Sequence, residues 1–368
     1  MLFANYSISV MKNLSFLPFL LVLFQCCQPA GNNQPATLAE GNQPDYEQYL
    51  DYGNTGTELT GGVEMIPVET PAGTFNVWTK RVGNNPKMKV LLLHGGPGAT
   101  HEIYESFDSY FPKEGIEYYY YDQLGSFYSD QPDDTTLWNL DRFVEEVEQV
   151  RQALDLDTSN FYLFGQSWGG LLAMQYALKY QNNLKGLIIS NMVSSIPAYN
   201  QYADEELGPQ MPNEVLAEVK AIEAAGNFSD PRYMDLLTEH FYTKHVCRMP
   251  VAEWPEPVNR SFEHLNSQVY VQMQGPSEFG IRGNASLLNW EVTNELQNIK
   301  VPTLSIGATY DTMDPDHMKM IAGTVQQGRF LLCPNGSHLS QFDDQEHFFP
   351  GLIKFIKDVN TGVFSSNN

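Results

Sequence analysis

Phe161-Tyr162-Leu163-Phe164-Gly165-Gln166-Ser167-Trp168-Gly169-Gly170 is the stretch on which the reading of this chain turns. Its first four residues form a short continuous apolar run, the form expected of a strand covered on both faces. Leu171 to Tyr180, just beyond, reads as a helix. Between them stands a G-x-S-x-G string. In a strand-turn-helix setting that string puts the serine on a tight, strained turn that only small flanking residues permit. Ser167 is therefore the candidate nucleophile, and a structural turn serine is the alternative.

Working outward, similar apolar runs occur at Val90-Leu91-Leu92-Leu93, Tyr118-Tyr119-Tyr120-Tyr121 and Leu187-Ile188-Ile189. Leu140 to Leu154 carries apolar residues at Phe143, Val147, Val150 and Leu154, a helical spacing. Upstream, Val63 to Val68 and Thr74 to Thr79 alternate around a Pro-Ala-Gly turn and predict a hairpin. Alternation of strands and helices gives an α/β class: a mainly parallel, doubly wound sheet with right-handed crossovers and helices on both faces. From Ser194 to about Asn298 the strand signal disappears, and it returns at Thr303 to Ile306 and Phe330 to Leu332. The organisation expected is a core in two parts, 59–194 and 299–360, interrupted after the sixth strand by a helical cap over 195–298.

A serine hydroxyl needs a base to take its proton, and the base needs an orienting acid. Both should follow in the order Ser, Asp, His at strand ends. Asp311 stands just past the strand ending at Ile306; Asp314 and Asp316 compete, but lie deeper in the helix expected to follow. Of the eight histidines, His338 in Asn335-Gly336-Ser337-His338 comes after a strand and a glycine, the position a base requires. His94-Gly95-Gly96-Pro97-Gly98 follows another strand. Glycines there let a backbone N–H, best that of Gly96, join the N–H of Trp168 around a developing oxyanion. A glycine turn needed only for packing is the alternative, and His94 reads as a structural loop histidine. No phosphate-cradling glycine string is present. The His and Cys residues show no metal-ligand spacing, so neither metal nor cofactor is expected.

Together, His94-Gly95-Gly96-Pro97-Gly98, Tyr121-Asp122-Gln123-Leu124-Gly125-Ser126 and Gly165-Gln166-Ser167-Trp168-Gly169-Gly170 resemble the proline iminopeptidases of the α/β-hydrolase superfamily, from about Leu59 to Ile356. The resemblance implies the α/β-hydrolase fold and a serine exopeptidase that removes one residue, preferably proline, from peptides with a free N-terminus. It implies Ser167, Asp311 and His338 as triad, with Gly96 and Trp168 as oxyanion hole. Gly275-Pro276-Ser277-Glu278-Phe279 resembles the cap segment of the tricorn-interacting aminopeptidases, whose glutamate binds the substrate amine; Glu278 is the implied anchor, against the alternative of a solvated glutamate. Those relatives carry a second acid directly after the triad aspartate, where this chain has Thr312, and Glu253 and Glu256 are weaker substitutes. Two other readings compete: an esterase or amidase of different specificity, since fold and triad do not fix a substrate, and a non-catalytic binding lipoprotein.

The 368 residues are 42% hydrophobic, 12% aromatic and 18% charged, which fits a globular protein. With 21 basic and 44 acidic residues the net charge is −23, a field that repels nucleic acid and mildly favours cationic ligands such as free amines. Near the N-terminus, Leu14 to Phe24 is almost wholly apolar, follows Met11-Lys12-Asn13 and ends at Gln25-Cys26-Cys27. That run is too short to span a bilayer and reads as an export signal over 1–27. A Cys directly after it resembles the bacterial lipoprotein signal, with Cys26 and Cys27 as candidates, although Gln25 stands where a small residue is usual. Plain secretion is the alternative. Residues 28–58 are Gly/Asn/Gln/Pro-rich and read as a tether. Location at a membrane surface, by an N-terminal lipid, is the expectation. Cys247 and Cys333 read as free thiols.

Overall fold

The computed structural model describes residues 46–51 and 61–366. The export signal, Cys26, Cys27 and the tether apart from residues 46–51 lie outside the described residues. Among the described residues no helix is long and apolar enough to cross a membrane.

Eight strands form one sheet: β1 (Val63–Thr70), β2 (Gly73–Val82), β3 (Lys89–Leu93), β4 (Glu117–Asp122), β5 (Phe161–Gln166), β6 (Gly186–Ser190), β7 (Thr303–Ala308) and β8 (Gly328–Cys333). Their spatial order is β1-β2-β4-β3-β5-β6-β7-β8. The hairpin β1–β2 is antiparallel, as its alternating sequence predicts, and β2 also meets β4 antiparallel. Every pairing beyond β4 is parallel.

The apolar runs bury both faces of the sheet because successive side chains point to opposite sides. Leu91, Leu93, Tyr119, Tyr121, Leu163, Leu187 and Ile189 join one buried cluster with α1 (Leu140–Ala153) and α2 (Trp168–Tyr180). Val90, Leu92, Tyr118, Tyr120, Tyr162, Phe164 and Ile188 join the other. Each fully buried Leu or Ile contributes about 1.5–3 kcal/mol. With side chains buried on both faces, a one-residue slip of register would exchange every partner at once. Asn139 caps α1 by accepting the Arg142 N–H at 3.0 Å, and Phe143, Val147 and Val150 form its core stripe.

Between β6 and β7 the chain is helical: α3 (Ile196–Tyr202), α4 (Asn213–Ala224), α5 (Pro231–Leu237), α6 (Glu256–Glu263) and α7 (Ser267–Met273). It leaves and rejoins the core side by side. Ser195 and Glu291 form an isolated antiparallel bridge, the Ile196 N–H donates to the Trp290 carbonyl at 2.9 Å, and the Val292 N–H donates to the Ser194 carbonyl at 2.8 Å. Sheet and cap residues belong to one compact unit. On the core the cap is latched by Arg260, paired with Glu102 at 2.6 Å, and by Asn266, whose main-chain N–H donates to Gly98 O at 2.8 Å and whose Nδ2 donates to Gly125 O at 2.7 Å. Then α8 (Pro315–Thr324) follows β7, and α9 (Gln345–Thr361) follows β8 and covers the second face through Phe348, Leu352 and Phe355.

Candidate active site

Ser167 links β5 to α2 with φ 56° and ψ −127°. A positive φ at a residue with a Cβ costs on the order of 1–3 kcal/mol and persists only where the surroundings enforce it. Here glycines do so: a Cβ on Gly165 would lie 1.9 Å from the Gly169 carbonyl oxygen, and one on Gly169 would lie 1.9 Å from Leu93 O. The Ser167 N–H donates to Ser190 O on β6 at 3.1 Å.

His338 follows β8, and its main-chain N–H donates to His245 O at 3.0 Å. Its Nδ1–H donates to Asp311 Oδ1 at 2.8 Å, which leaves Nε2 as the lone-pair nitrogen. That Nε2 is buried and has no hydrogen-bond partner among the described residues. Burial alone would lower the His338 pKa; the charge of Asp311, its hydrogen bond and the charge of Glu278 outweigh burial, so the imidazole is held above its usual value of 6.5. Asp311 is itself fixed: Oδ1 also accepts the Met313 N–H at 3.1 Å, and Oδ2 accepts Asn191 Nδ2 at 2.7 Å. Asp314 and Asp316 do not share the site. Asp314 caps α8 by accepting the Asp316 N–H at 2.9 Å, and Asp316 is exposed.

Gly96 carries φ 103°, and a Cβ on its neighbour Gly95 would stand 3.2 Å from the Ser167 Cβ, so this loop runs directly against the serine. Trp168, the first residue of α2, buries its indole. Gly96, Ser167, His338 and Glu278 line one cavity, with Phe262 and Leu265 of the cap on its apolar wall. A wider surface cleft lined by Gln210, Lys244, Arg248 and Tyr310 contains neither Ser167 nor His338.

Glu278 is buried, not solvated. Its Oε1 accepts Tyr270 OH at 2.6 Å, while Oε2 has no hydrogen-bond partner among the described residues. Two further tyrosines hold its backbone: the Glu278 N–H donates to Tyr242 OH at 3.0 Å, and Tyr199 OH donates to Glu278 O at 2.5 Å. Burial raises its pKa above the usual 4.5, against the opposing pull of His338 and of the Tyr270 hydrogen bond. Thr312 is buried with its hydroxyl 3.2 Å from His338 Nδ1, so no second carboxylate stands beside Asp311 at that position. Glu253 and Glu256 are exposed, and Glu256 pairs with Arg260 at 2.6 Å.

His94 is wholly buried. Its Nδ1 bonds Gly95 O at 2.9 Å, and desolvation pulls its pKa down to about 4, so it is a neutral structural ring. Cys247 and Cys333 are buried free thiols. No motif marks Asn191 or Tyr199 in the sequence, and Tyr242 and Tyr270 read there as cap aromatics that could line an apolar pocket but more often belong to a core. Asn191 could have been found by extending the strand-end rule to β6, since it directly follows that strand, with φ 51°.

A serine at a strained strand-to-helix turn, over a mainly parallel sheet and lining one cavity with the histidine of an acid–imidazole pair, defines an α/β hydrolase. Residues 89–345 match the alpha/beta hydrolase fold family. Among curated relatives, the proline iminopeptidase of Elizabethkingia meningoseptica is 59% identical over 301 residues, covering 82% of this chain and 100% of the relative. That of Flavobacterium johnsoniae is 57% identical, covering 80% of this chain and 98% of its own. A solved proline iminopeptidase from Mycobacterium smegmatis superposes with a TM-score of 0.72 at 27% identity, covering 82% of this chain and 99% of that one. The chain belongs to the proline iminopeptidase family of serine hydrolases.

Proposed function

We propose that this protein is a serine aminopeptidase that releases the N-terminal residue, preferably proline, from peptides through an acyl-enzyme on Ser167. The observation that carries the reading is the buried Glu278 carboxylate, with one oxygen unpartnered, on the wall of the cavity that holds Ser167 and His338. A buried polar atom without a partner is costly, and a substrate α-ammonium supplies both the donor and the opposite charge. The apolar wall formed by Phe262 and Leu265 suits a small apolar ring.

In this reading the Ser167 hydroxyl attacks the first peptide carbonyl carbon while His338 Nε2 takes its proton. Asp311 holds Nδ1 and stabilises the imidazolium. The main-chain N–H groups of Gly96 and Trp168 receive the oxyanion. His338 then gives its proton to the leaving peptide nitrogen as the C–N bond breaks. Water, deprotonated by the same ring, attacks the ester and releases the amino acid.

A matched panel tests this: prolyl, alanyl and leucyl arylamides with free amines, their N-acetylated forms and a simple ester. Cleavage of free amines, proline fastest, is expected. Cleavage of blocked amides, or of the ester alone, would leave an esterase or amidase. Because truncating one partner of a buried charge pair costs about 2–5 kcal/mol, Glu278→Gln should cut kcat/KM on the free amines by at least about 30-fold and spare the ester. Equal losses on both would remove the anchor role.

His338 must be neutral to accept a proton. Its raised pKa therefore places the acid limb of kcat/KM above pH 6.5. Glu278→Gln removes a negative charge that favours the imidazolium, so the limb, followed with the uncharged ester, should move to lower pH. A limb that stays in place would show that the two groups do not interact.

We also propose that the protein is exported and held at a membrane by lipid on Cys26 or Cys27, on the strength of the preceding apolar run. The full chain should partition into detergent and the double Cys26→Ser, Cys27→Ser variant should not; partitioning by both would refute the lipid.

A further inference from the structure

The loop Tyr121-Asp122-Gln123-Leu124-Gly125-Ser126 carries part of the family resemblance, yet none of its residues takes part in the steps above. We propose that Gln123 is a positioning residue for catalysis, a buried amide clip that fixes the two oxyanion-binding N–H groups relative to each other. The inference rests on the assignment of Gly96, Ser167 and Trp168 given above.

Gln123 is 1% exposed. Its Oε1 accepts the Trp168 indole Nε1–H at 2.8 Å, and its Nε2–H donates to the His94 carbonyl at 3.2 Å. Its main-chain N–H donates to His94 Nε2 at 3.1 Å, and His94 Nδ1–H in turn donates to Gly95 O at 2.9 Å. His94 and Gly95 immediately precede Gly96, and Trp168 immediately follows Ser167. One side chain therefore joins both segments from which the oxyanion would be held.

Sheet topology explains why such a clip is needed. In the order β4-β3-β5, β3 stands between β4 and β5, so no strand pairing ties the end of β4 to the end of β5. Gln123 spans that gap, reaching past the end of β3 to the start of α2. A primary amide suits this role, because one contact needs an acceptor and the other a donor. Glutamate cannot donate when ionised, and methionine has no donor and only a weak sulfur acceptor.

The clip is also rigidly seated. On one side Asp122 Oδ1 accepts the His101 N–H at 2.8 Å; on the other the Leu124 N–H donates to Glu146 Oε1 at 2.9 Å, and Gly125 O accepts Asn266 Nδ2 at 2.7 Å. With the backbone pinned at these points, loss of the amide must be absorbed by the Trp168 and His94 sides. Small displacements of groups aimed at a transition state lower turnover, while ground-state binding is little affected.

The test separates those two states. For Gln123→Met we expect kcat on a prolyl arylamide to fall about 10- to 100-fold, with KM within about twofold. Affinity for pyrrolidine-2-boronic acid, which forms a tetrahedral adduct on the serine, should weaken by the same factor as kcat/KM. Inhibition by pyrrolidine, which has the amine and the ring but no group for the oxyanion site, should be unchanged. Trp168→Phe keeps the main-chain N–H at position 168 and removes only the indole donor, so it should act in the same direction. The double variant should lose no more than the larger single loss, because both changes break one link. If Gln123→Met does not fold, Trp168→Phe carries the test alone. Equal weakening of the boronate and of pyrrolidine, or unchanged turnover in a folded variant, would overturn the proposal. If the boronate binds the native enzyme no more tightly than pyrrolidine does, the Ser167 assignment itself falls, and this inference falls with it. Tight native binding that survives both variants overturns the inference alone.

Discussion

Ser167→Ala should lower kcat on prolyl arylamides on the order of a millionfold and leave thermal unfolding unchanged. The size follows from the proposed mechanism, in which the variant lacks the attacking atom of a serine–histidine pair acting as a unit. The fold should survive because the Ser167 side chain makes no cap hydrogen bond, and its backbone is set by Gly165 and Gly169 rather than by its hydroxyl. Residual activity of a few per cent of native would exclude the acyl-enzyme and require direct attack by water. Mass spectrometry of a stalled reaction gives an independent check, since an acyl adduct should appear on the native serine and not on the variant.

Asp311→Asn should cost about 10⁴-fold in kcat with little change in KM. An amide at this position can be oriented in two ways, and both fail. If its NH₂ replaces Oδ1, it meets the Met313 N–H and faces His338 Nδ1, which must then give up its proton and carry it on Nε2, where the ring can no longer accept one from Ser167. If its NH₂ replaces Oδ2, it meets the Asn191 amide, itself a donor in this network, and the imidazolium still loses its negative partner. Asn191 cannot simply turn over, because its Nδ2 also donates to the Ser337 carbonyl at 3.2 Å, an oxygen that can only accept. Turnover within tenfold of native would mean that Asp311 only packs beside the ring.

The strands were legible because burial on two faces leaves continuous apolar runs, and every run read as a strand lies in the sheet. The pairing of His338 with Asp311 was legible for a similar reason: strand ends converge on one edge of a parallel sheet, so position after a strand stands in for position in space. The supports of the site were not legible. Asn191 lies 120 residues from the aspartate it holds, and Gln123 lies 45 residues from Trp168. No local periodicity marks such a contact. The burial of Glu278 was also invisible to composition, since glutamates are mostly exposed; three tyrosines from separate cap segments enclose it, and only the motif around it pointed to the residue. Thr312 shows the opposite situation, a departure plain in the sequence whose effect, a hydroxyl against the His338–Asp311 pair, needed coordinates.

The paired entrance and exit of the cap at Ser195 and Glu291 has an evolutionary consequence. When both ends of an insertion are pinned side by side, each doubling of its length adds only about 0.6 kcal/mol of closure entropy. The inserted segment then behaves as a cassette. A lineage can lengthen it, shorten it or replace it wholesale provided a few latches, such as Arg260 to Glu102 and Asn266 to Gly98, are made again. Selection can thereby rewrite which bond is cut while the cutting machinery beneath is inherited intact.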